Sequence, residues 1–502
     1  MKKVFFWTTA LALALIGVSR PAVADDEDDA AKKRREIFGK SFEEKVEEAV
    51  DKGCDGLKKL QGIDKDEDKA IYGQFPPNPP LYGAGEPHRY RIARTAFPIQ
   101  ALCKSGVFAD DPAVAKAMDW LRKNYKENGV LNNEQGFVPS TTYEDATVLN
   151  AVEAFYISAA EAKERGLDNP KKRVQEVDGK KVPIKRWGTE EKGAKKAKEE
   201  EKHKKRALVL SAEDKKICEL AIKGLAKRFR KNVYGAAGWR YAFPGVGETQ
   251  PQVDISATQY AMLGLKAASR LGLTYDKSMV MDCYHLFRSW QDADGPVVER
   301  KAKDAEGKDV EAPEDPKPKK DPNKSTRAWA PGAKDKARGW AYCRKDPHNP
   351  ADVNTYGSMT AAGICALILI RDELETDGKM MARWKAVADQ CQQALNDGLA
   401  WMVMNWSMSE NPKRERYRYY YYLYTVERLG MLGGLDYIGS HDWYFEGAEI
   451  LIKEQQEGTG LWDTQNEIDP SDLYDTCYAL LFLKRATIGV DRPRPVFTGD
   501  DE

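Results

Sequence analysis

The pattern of apolar and polar positions along the chain repeats about six times as a pair of helices. One member of each pair carries charge on one face, as in Val114–Leu121, and the other is apolar on nearly every face, as in Ala261–Ala268. A helix that is apolar all round must be enclosed by other helices. Repeated helix pairs bury their apolar faces only by stacking on neighbours. The pattern therefore predicts two layers, with the apolar helices inside and the amphipathic helices outside.

Periodicity and cap signals predict about twelve helices, and no stretch predicts a strand convincingly. The predicted outer helices cover 42–61, 111–125, 211–230, 276–290, 379–406 and 440–456. The predicted inner helices cover 88–104, 142–165, 254–270, 355–374, 417–432 and 471–487. Two charged insertions, 167–206 and 300–336, have too few apolar residues to fold alone, so we interpret them as solvated. The predicted fold class is all-α, an (α/α)6 toroid with two charged insertions.

The amino terminus has the pattern of a secretory signal over residues 1–24. Lys2 and Lys3 precede the apolar run Val4–Val18, and Ala22–Ala24 form a small-residue cleavage site. We expect a charged tail at 25–40, the toroid over 41–490 and a second tail at 491–502. The expected location is secreted or periplasmic, with no membrane span after cleavage. A retained amino-terminal anchor is the alternative.

The net charge narrows the class of partner, and the positions of the cysteines bear on disulfide formation. Lysine plus arginine equals aspartate plus glutamate, 79 each, so no net field points to nucleic acid. Eight cysteines in an exported chain could form disulfides. Cys365 and Cys477 lie within apolar helical runs, however, which favours small buried thiols.

One turn carries a resemblance to a known family. The segment Gln456-Glu457-Gly458-Thr459-Gly460-Leu461-Trp462 resembles the glutamine-to-tryptophan repeat motif of squalene and hopene cyclases, and Gly238-Trp239 and Gly339-Trp340 are weaker echoes. Together with six inner and six outer helices, they make the chain resemble the toroids of the prenyltransferase and squalene-cyclase superfamily. It looks closest to bacterial secreted proteins with prenyltransferase/squalene-oxidase repeats. The resemblance implies a structural role for these residues and no established activity.

The catalytic signatures of that superfamily are missing. The acidic motif with which the cyclases protonate a double bond occurs only at 26–29, in the polar tail. Asp475 and Cys477 resemble part of the zinc site of protein prenyltransferases, but no histidine follows them, and zinc needs three or four ligands. We therefore predict no metal site and no cofactor.

Candidate chemistry gathers near the starts of the inner helices. Asp475 and Asp254 are the candidate catalytic acids, since carboxylates at these positions converge at one mouth of the ring, although helix capping also explains them. The candidate ligand-binding residues lie near the same level: Asp145, Tyr143, Gln259, Ser358, Thr360, Tyr420 and Tyr474.

Three functions stay open. The favoured one is a non-catalytic binding or scaffold protein, with an apolar or sugar ligand in the central cavity or a protein partner. The second is a terpenoid cyclase or prenyltransferase-like enzyme with displaced acids. The third is a polysaccharide-active enzyme, which needs two carboxylates roughly 5–10 Å apart.

Overall fold

The computed structural model of the protein describes residues 42–61, 91–127, 129–132, 136–177, 180–187, 208–231, 237–241, 253–299, 302–303, 309–310, 334–344, 353–435, 437–439, 441–463 and 472–489. The predicted secretory signal and both predicted tails lie outside these residues. The chain divides into two units, Met1–Lys45 and Val46–Glu502. Of the first unit only Phe42–Lys45 are described, in the first turn of helix α1.

Twelve long helices and one short helix form the described part of the chain. The inner helices are α2 (Arg91–Lys104), α4 (Thr142–Glu164), α6 (Ile255–Arg270), α8 (Gly357–Glu375), α11 (Tyr419–Gly433) and α13 (Asp472–Leu483). The outer helices are α1 (Phe42–Lys59), α3 (Pro112–Asn124), α5 (Ala212–Arg228), α7 (Ser278–Trp290), α10 (Ala388–Met404) and α12 (Trp443–Glu454). The predicted helix at 379–406 breaks into α9 (Met381–Lys385) and α10.

The six inner helices close a ring. Each packs against the next in chain order, and α13 packs back against α2. In α8 every residue from Gly357 to Leu374 is buried, whereas α12 buries one face only. The predicted all-α toroid and its two layers are confirmed. No helix in the described ranges has the length and apolar composition needed to cross a membrane.

The inner helices approach one another closely where their residues are small. A Cβ atom on Gly264 of α6 would lie 2.7 Å from the Cα atom of Ala146 on α4. No side chain fits at that separation, since such an approach is closer than van der Waals contact. Glycine at this position therefore sets the spacing of two neighbouring inner helices.

Three tryptophans clamp an outer helix to the following inner helix. Their indole Nε1 atoms donate to carbonyl oxygens near the outer helix end, at 2.7 to 2.8 Å, and their backbone amides donate to a threonine hydroxyl on the inner helix, at 3.0 to 3.2 Å. The pairs are Trp239 with Thr258, Trp340 with Thr360, and Trp462 with Thr476. The predicted structural role of the glycine–tryptophan turns thus has a specific geometry.

The glutamine of the predicted repeat motif is one residue earlier than the sequence suggested. Gln455, rather than Gln456, donates to Ala49 O of α1 and to Gly460 O, at 2.8 Å each. Gln291 bonds Ala394 O of α10 in the same way, at 2.8 Å. Both glutamines cap the end of an outer helix, so they tie that end to the next outer helix in the ring.

Short strands connect the layers, although none was predicted. They are β1 (Tyr125–Lys126), β2 (Gly129–Asn132), β3 (Gly136–Pro139), β4 (Val174–Val177), β5 (Lys180–Pro183), β6 (Arg230–Lys231), β7 (Ala237–Gly238), β8 (Val297–Glu299), β9 (Ala302–Lys303), β10 (Asp309–Val310) and β11 (Lys334–Lys336). All pairings are antiparallel, in the orders β1-β2-β3, β4-β5, β6-β7, β8-β11 and β9-β10. A strand of two to four residues is too short to show an alternating pattern in the sequence.

The first charged insertion is anchored to the helices by Arg186 and by Arg173, which binds Asp110. Arg186 is buried, and it donates to Glu47 Oε2, Asp51 Oδ1 and Ser105 O, each at 2.7 Å. Ile184 packs beside it in a small apolar cluster. The interpretation of 167–206 as wholly solvated is therefore wrong for these residues.

All eight cysteines are buried, and none of them is in a disulfide bond. Burial raises the pKa of the Cys365 thiol to about 12, which keeps it protonated and unreactive at neutral pH.

Candidate functional site

Six tyrosines and a phenylalanine meet at the centre of the ring. We call them the tyrosine cluster: Phe97, Tyr143, Tyr260, Tyr421, Tyr424, Tyr474 and Tyr478. Ring centroids of neighbouring members lie 4.9 to 6.2 Å apart. Five of the six inner helices contribute a residue, because each turns one apolar face towards the ring axis.

The hydroxyl groups of the cluster are paired with one another or with polar neighbours. Tyr260 and Tyr478 share a hydrogen bond of 3.0 Å between their hydroxyls, and Ser256 Oγ lies 3.3 Å from the Tyr421 hydroxyl. Tyr143, Tyr474 and Tyr478 keep part of their surface accessible. The cluster therefore offers aromatic faces edged with hydroxyl donors and acceptors, a surface that is apolar and polar at once.

The phenols of the cluster stay protonated at neutral pH. Burial raises the pKa of Tyr260 to about 12 and raises that of Tyr143 well above its ordinary value. For Tyr478, burial and the neighbouring phenols raise the pKa in the same direction. These residues can donate hydrogen bonds to a ligand, but none of the three is suited to act as a phenolate base.

A fully buried arginine lies within the tyrosine cluster. The Arg428 guanidinium carbon is 4.2 Å from the ring centroid of Tyr424, 5.4 Å from that of Tyr260 and 5.7 Å from that of Tyr421. Its Nη2 atom donates to Thr425 Oγ1 at 2.8 Å, whereas Nε and Nη1 have no hydrogen-bond partner among the described residues. Three aromatic faces stabilise the cation without satisfying these donors.

The candidate acid Asp254 caps α6 at the edge of the cluster. It is fully buried, and its Oδ1 atom accepts from the Ala257 amide at 2.6 Å, while Oδ2 has no hydrogen-bond partner in the described part of the chain. Burial raises the pKa of Asp254 to about 6, against the opposing effects of the Ala257 amide and the positive charge of Arg240. A carboxyl group with this pKa holds its proton in mildly acidic solution, as a general acid must.

Tyrosines surround Asp254. The Tyr143 and Tyr241 rings lie 5.1 Å apart, and Tyr241 is 38% exposed. Burial raises the pKa of Tyr342, and the Asp254 carboxylate raises it further, as it also does for Tyr241. Asp254 thus lies among phenol side chains, with Tyr143 of the tyrosine cluster and the partly exposed Tyr241 both near it.

The second candidate acid, Asp475, belongs to a separate polar group. Tyr420 donates to Glu454 Oε2 at 3.1 Å, and Arg416 holds Glu454 with two bonds of 2.9 Å. Burial raises the pKa of Tyr420, and the charges of Glu454 and Asp475 raise it further. The structure therefore brings Tyr420 and Asp475 together, at the amino ends of α11 and α13.

Three of the predicted ligand-binding residues have structural partners instead. Asp145 forms a buried ion pair with Arg228 of α5 and accepts from the Tyr125 hydroxyl at 2.8 Å, so it points away from the ring axis. Thr360 belongs to a tryptophan clamp. Ser358 Oγ accepts from Asn411 Nδ2 at 3.1 Å.

Gln259 is the remaining predicted residue. It is fully buried, and neither amide atom has a hydrogen-bond partner among the described residues. It directly precedes Tyr260 of the cluster on α6.

The opposite end of the ring is closed by ion pairs. Lys266 contacts Asp372 and Glu373, and Lys277 also contacts Glu373. Glu153 forms ion pairs with Lys104, at an N–O distance of 3.6 Å, and with Arg270, at 3.4 Å. We call these residues the charged floor: Lys104, Glu153, Lys266, Arg270, Lys277, Asp372 and Glu373.

Sequence reasoning missed Arg428 and most of the tyrosine cluster. A charged residue in a helix that is apolar all round is rare, because lysine and arginine are almost never fully buried without a partner. That signal points to two neighbouring residues, Glu427 and Arg428, in the run Leu423–Leu432. No group of three histidine, cysteine, aspartate or glutamate side chains that could hold a metal ion occurs in the described ranges.

Comparisons with known proteins correct the expected family. No family model matches the chain, and no curated protein matches it. The crystal structure of a family 76 glycoside hydrolase from a bovine Bacteroides thetaiotaomicron strain is similar, with 8% sequence identity and a TM-score of 0.44. The match covers 88% of this chain and 77% of that chain. The expected membership of the prenyltransferase and squalene-cyclase superfamily, drawn from the glycine–tryptophan turns, is therefore wrong.

Proposed function

We propose that the protein binds a carbohydrate chain at the amino-terminal face of its ring and acts on it with Asp254 as the acid. The observation that carries the proposal is the tyrosine cluster beside a buried carboxyl group whose pKa is about 6. Tyrosine rings stack on sugar rings while their hydroxyls bond to sugar hydroxyls, so a tyrosine-rich wall suits a carbohydrate better than a plain hydrocarbon.

The protonation states favour acid catalysis over proton abstraction. Hydrolysis of a glycosidic bond needs one protonated carboxyl group and a second, ionised carboxylate. Asp254 supplies the first, and Asp475 is the candidate for the second, at the amino end of α13. A lyase that abstracts a proton with a phenolate is disfavoured, since burial raises the pKa of the cluster phenols.

A purely binding function is the second candidate. Asp254 is fully buried and caps α6, which are properties of a structural residue. Under this alternative the tyrosine cluster binds the carbohydrate and no bond is cleaved.

Binding is tested first with Tyr143→Ala. Tyr143 retains accessible surface and contacts both Tyr241 and Tyr260, so its loss should weaken oligosaccharide binding about 10-fold. Titration calorimetry with a panel of plant and microbial oligosaccharides measures this. The control is Tyr437→Ala, an exposed tyrosine beyond the carboxyl end of α11. No binding by the unaltered protein to any of the panel would refute the proposal.

Catalysis is tested with Asp254→Asn on any oligosaccharide that binds. Asparagine keeps the cap but cannot donate a proton, so release of reducing ends should fall at least about 100-fold while binding is retained. Asp442→Asn is the matched control, because Asp442 caps outer helix α12 by accepting from Phe445 N at 2.9 Å. If the unaltered protein binds oligosaccharides but does not cleave them, the catalytic function is refuted and only the binding function stands.

A further inference from the structure

We propose that the carbohydrate is acidic, carrying carboxylate or sulfate groups, and that Arg428 recognises one of them. This inference rests on the proposed function and names the substrate class of the same site. Two independent features support it: buried arginines with unsatisfied donors inside the ring, and a strained basic loop at its amino-terminal face.

Arg428 differs from the partly buried cations of the charged floor. Lys104, Lys266, Arg270 and Lys277 of the charged floor each contact a carboxylate. Among the described residues no carboxylate lies within ion-pair distance of Arg428, and its Nε and Nη1 atoms have no hydrogen-bond partner. A buried charge without a counterion is costly, and so is a buried donor without an acceptor. An anionic group of the ligand would satisfy both.

A second arginine repeats the arrangement on α2. Arg94 is 8% exposed, and its Nε and Nη1 atoms are likewise without partners in the described part of the chain. Residues three apart lie on one helix face, and Phe97, three positions on, contacts Tyr474 and Tyr478. Arg94 therefore lies on the face of α2 that bears the cluster, one turn nearer the amino end.

The segment before α11 presents positive charge at the amino-terminal face. Lys413, Arg414, Arg416 and Arg418 fall within six residues, and we call Asn411–Arg418 the basic loop. Lys413, Glu415 and Arg418 have φ values of 66°, 51° and 53°, a conformation that side chains other than glycine rarely adopt. Such strain persists only where surrounding contacts enforce it, and it concentrates at functional sites.

The basic loop and the candidate acid act on a common neighbour, Tyr241. Burial and the charge of Asp254 raise the pKa of Tyr241, and the positive charge of Arg418 opposes them. The guanidinium of Arg414 lies 4.8 Å from the Tyr356 ring and 4.6 Å from the Tyr417 ring, which holds the loop against the ring of helices. The loop therefore brings Arg414 and Arg418 to the amino-terminal face, where Arg416 is already paired with Glu454, and Arg428 supplies a cation inside.

The test compares acidic and neutral oligosaccharides of equal length by titration calorimetry at two salt concentrations. The probes are oligogalacturonate for carboxylate, carrageenan oligosaccharides, which carry sulfate and no carboxylate, for sulfate, and manno-oligosaccharides as the neutral ligand. Because hydrogen bonds to charged groups are strong, we expect the acidic probes to bind at least about 10-fold more tightly, with weaker binding at higher salt. The more tightly bound acidic probe identifies the group as carboxylate or sulfate.

Two arginine variants assign the effect. Arg428→Lys keeps the charge but removes the planar donor pair, and Arg418→Gln removes an exposed charge with little risk to folding. Each should weaken acidic binding by about 10-fold and leave neutral binding unchanged. Arg485→Gln is the matched control, since Arg485 is also exposed, has a φ of 46° and contacts a tyrosine ring, but follows the carboxyl end of α13.

The outcomes separate the two proposals. Equal binding of acidic and neutral probes, unaffected by either variant, overturns this inference and leaves the proposed function standing. If no oligosaccharide binds, the proposed function fails, and inorganic sulfate then decides the anion site by its effect on the thermal midpoint, with chloride at matched ionic strength as reference. A sulfate-dependent rise in the thermal midpoint that is lost in Arg428→Lys would support the anion site. An equal rise in Arg428→Lys and in the unaltered protein would overturn it.

Discussion

Replacing Asp254 by asparagine should stabilise the fold at neutral pH, even though it removes the proposed acid. Asparagine caps a helix as well as aspartate does, so the bond from the Ala257 amide is retained. What changes is the charge. Burial raises the pKa of Asp254 from 3.8 to about 6, because the ionised form is poorly solvated inside the protein.

The sign and size of the effect follow from proton binding. The folded protein holds the Asp254 proton to higher pH than the unfolded chain does. The contribution of the protonated Asp254 side chain to stability is therefore complete below about pH 4 and is lost as the pH rises through about 6. About 2 pKa units at about 1.4 kcal/mol each amount to roughly 3 kcal/mol. The variant should therefore gain about 3 kcal/mol in free energy of unfolding above pH 7 and much less than that at pH 4.

Urea unfolding at pH 4, 6 and 8 measures the difference between variant and unaltered protein. Burial also raises the pKa of Glu144 and of Glu427 to about 7, but both titrate in each protein, so their effects cancel. Asp442→Asn, which changes the cap of an outer helix in the same way, is the control. A difference that stays constant with pH would mean that folding leaves the pKa of Asp254 unchanged, and a loss of stability at pH 8 would mean that the folded state stabilises the ionised carboxylate. Either result would refute the reasoning.

Two further predictions concern structural residues. Asp145→Asn should destabilise the fold by about 3–5 kcal/mol, because it leaves the buried Arg228 charge uncompensated; urea unfolding checks this, and oligosaccharide affinity of the folded fraction should be unchanged. Thr360→Val should cost about 1–3 kcal/mol, because the buried Trp340 amide loses its acceptor. Thr376→Val, near the exposed end of the same helix, is its control, and equal effects in the two would contradict the clamp.

The architecture could be predicted from the sequence because burial imposes the helical period on both layers. Inner helices are apolar all round only if neighbours surround them, and α8 illustrates this with its continuous buried run. The family could not be predicted in the same way. A glycine–tryptophan turn seats an indole against an outer helix end, and any ring of helix pairs can use that packing. The motif therefore indicates how the ends of two helices pack together, and it does not indicate which reaction or ligand the protein uses.

The candidate site was only partly predictable. Asp145 and Asp254 both lie at the amino end of an inner helix, yet Asp145 is directed to Arg228 on the outer layer and Asp254 is enclosed by phenols. A rotation of about 100° per residue decides which way a side chain points, and an uncertainty of a few residues in the helix start is enough to confuse the two. Tyr143 and Tyr474 were predicted and do lie in the tyrosine cluster.

The way the ring closes has a consequence for how the chain folds as it is made. Closure depends on bonds between residues about 400 positions apart, such as Gln455 with Ala49 and Lys484 with Glu47. At a synthesis rate of roughly 5–20 residues per second, the last neighbours of α1 and α2 emerge from the ribosome roughly 20–80 s after these two helices do. During that time the side of α2 that α13 will cover is exposed to water. A nascent chain of this design therefore exposes an apolar helix surface, able to associate with other chains, until its final helix has emerged. We expect chaperone binding to decrease only at that point.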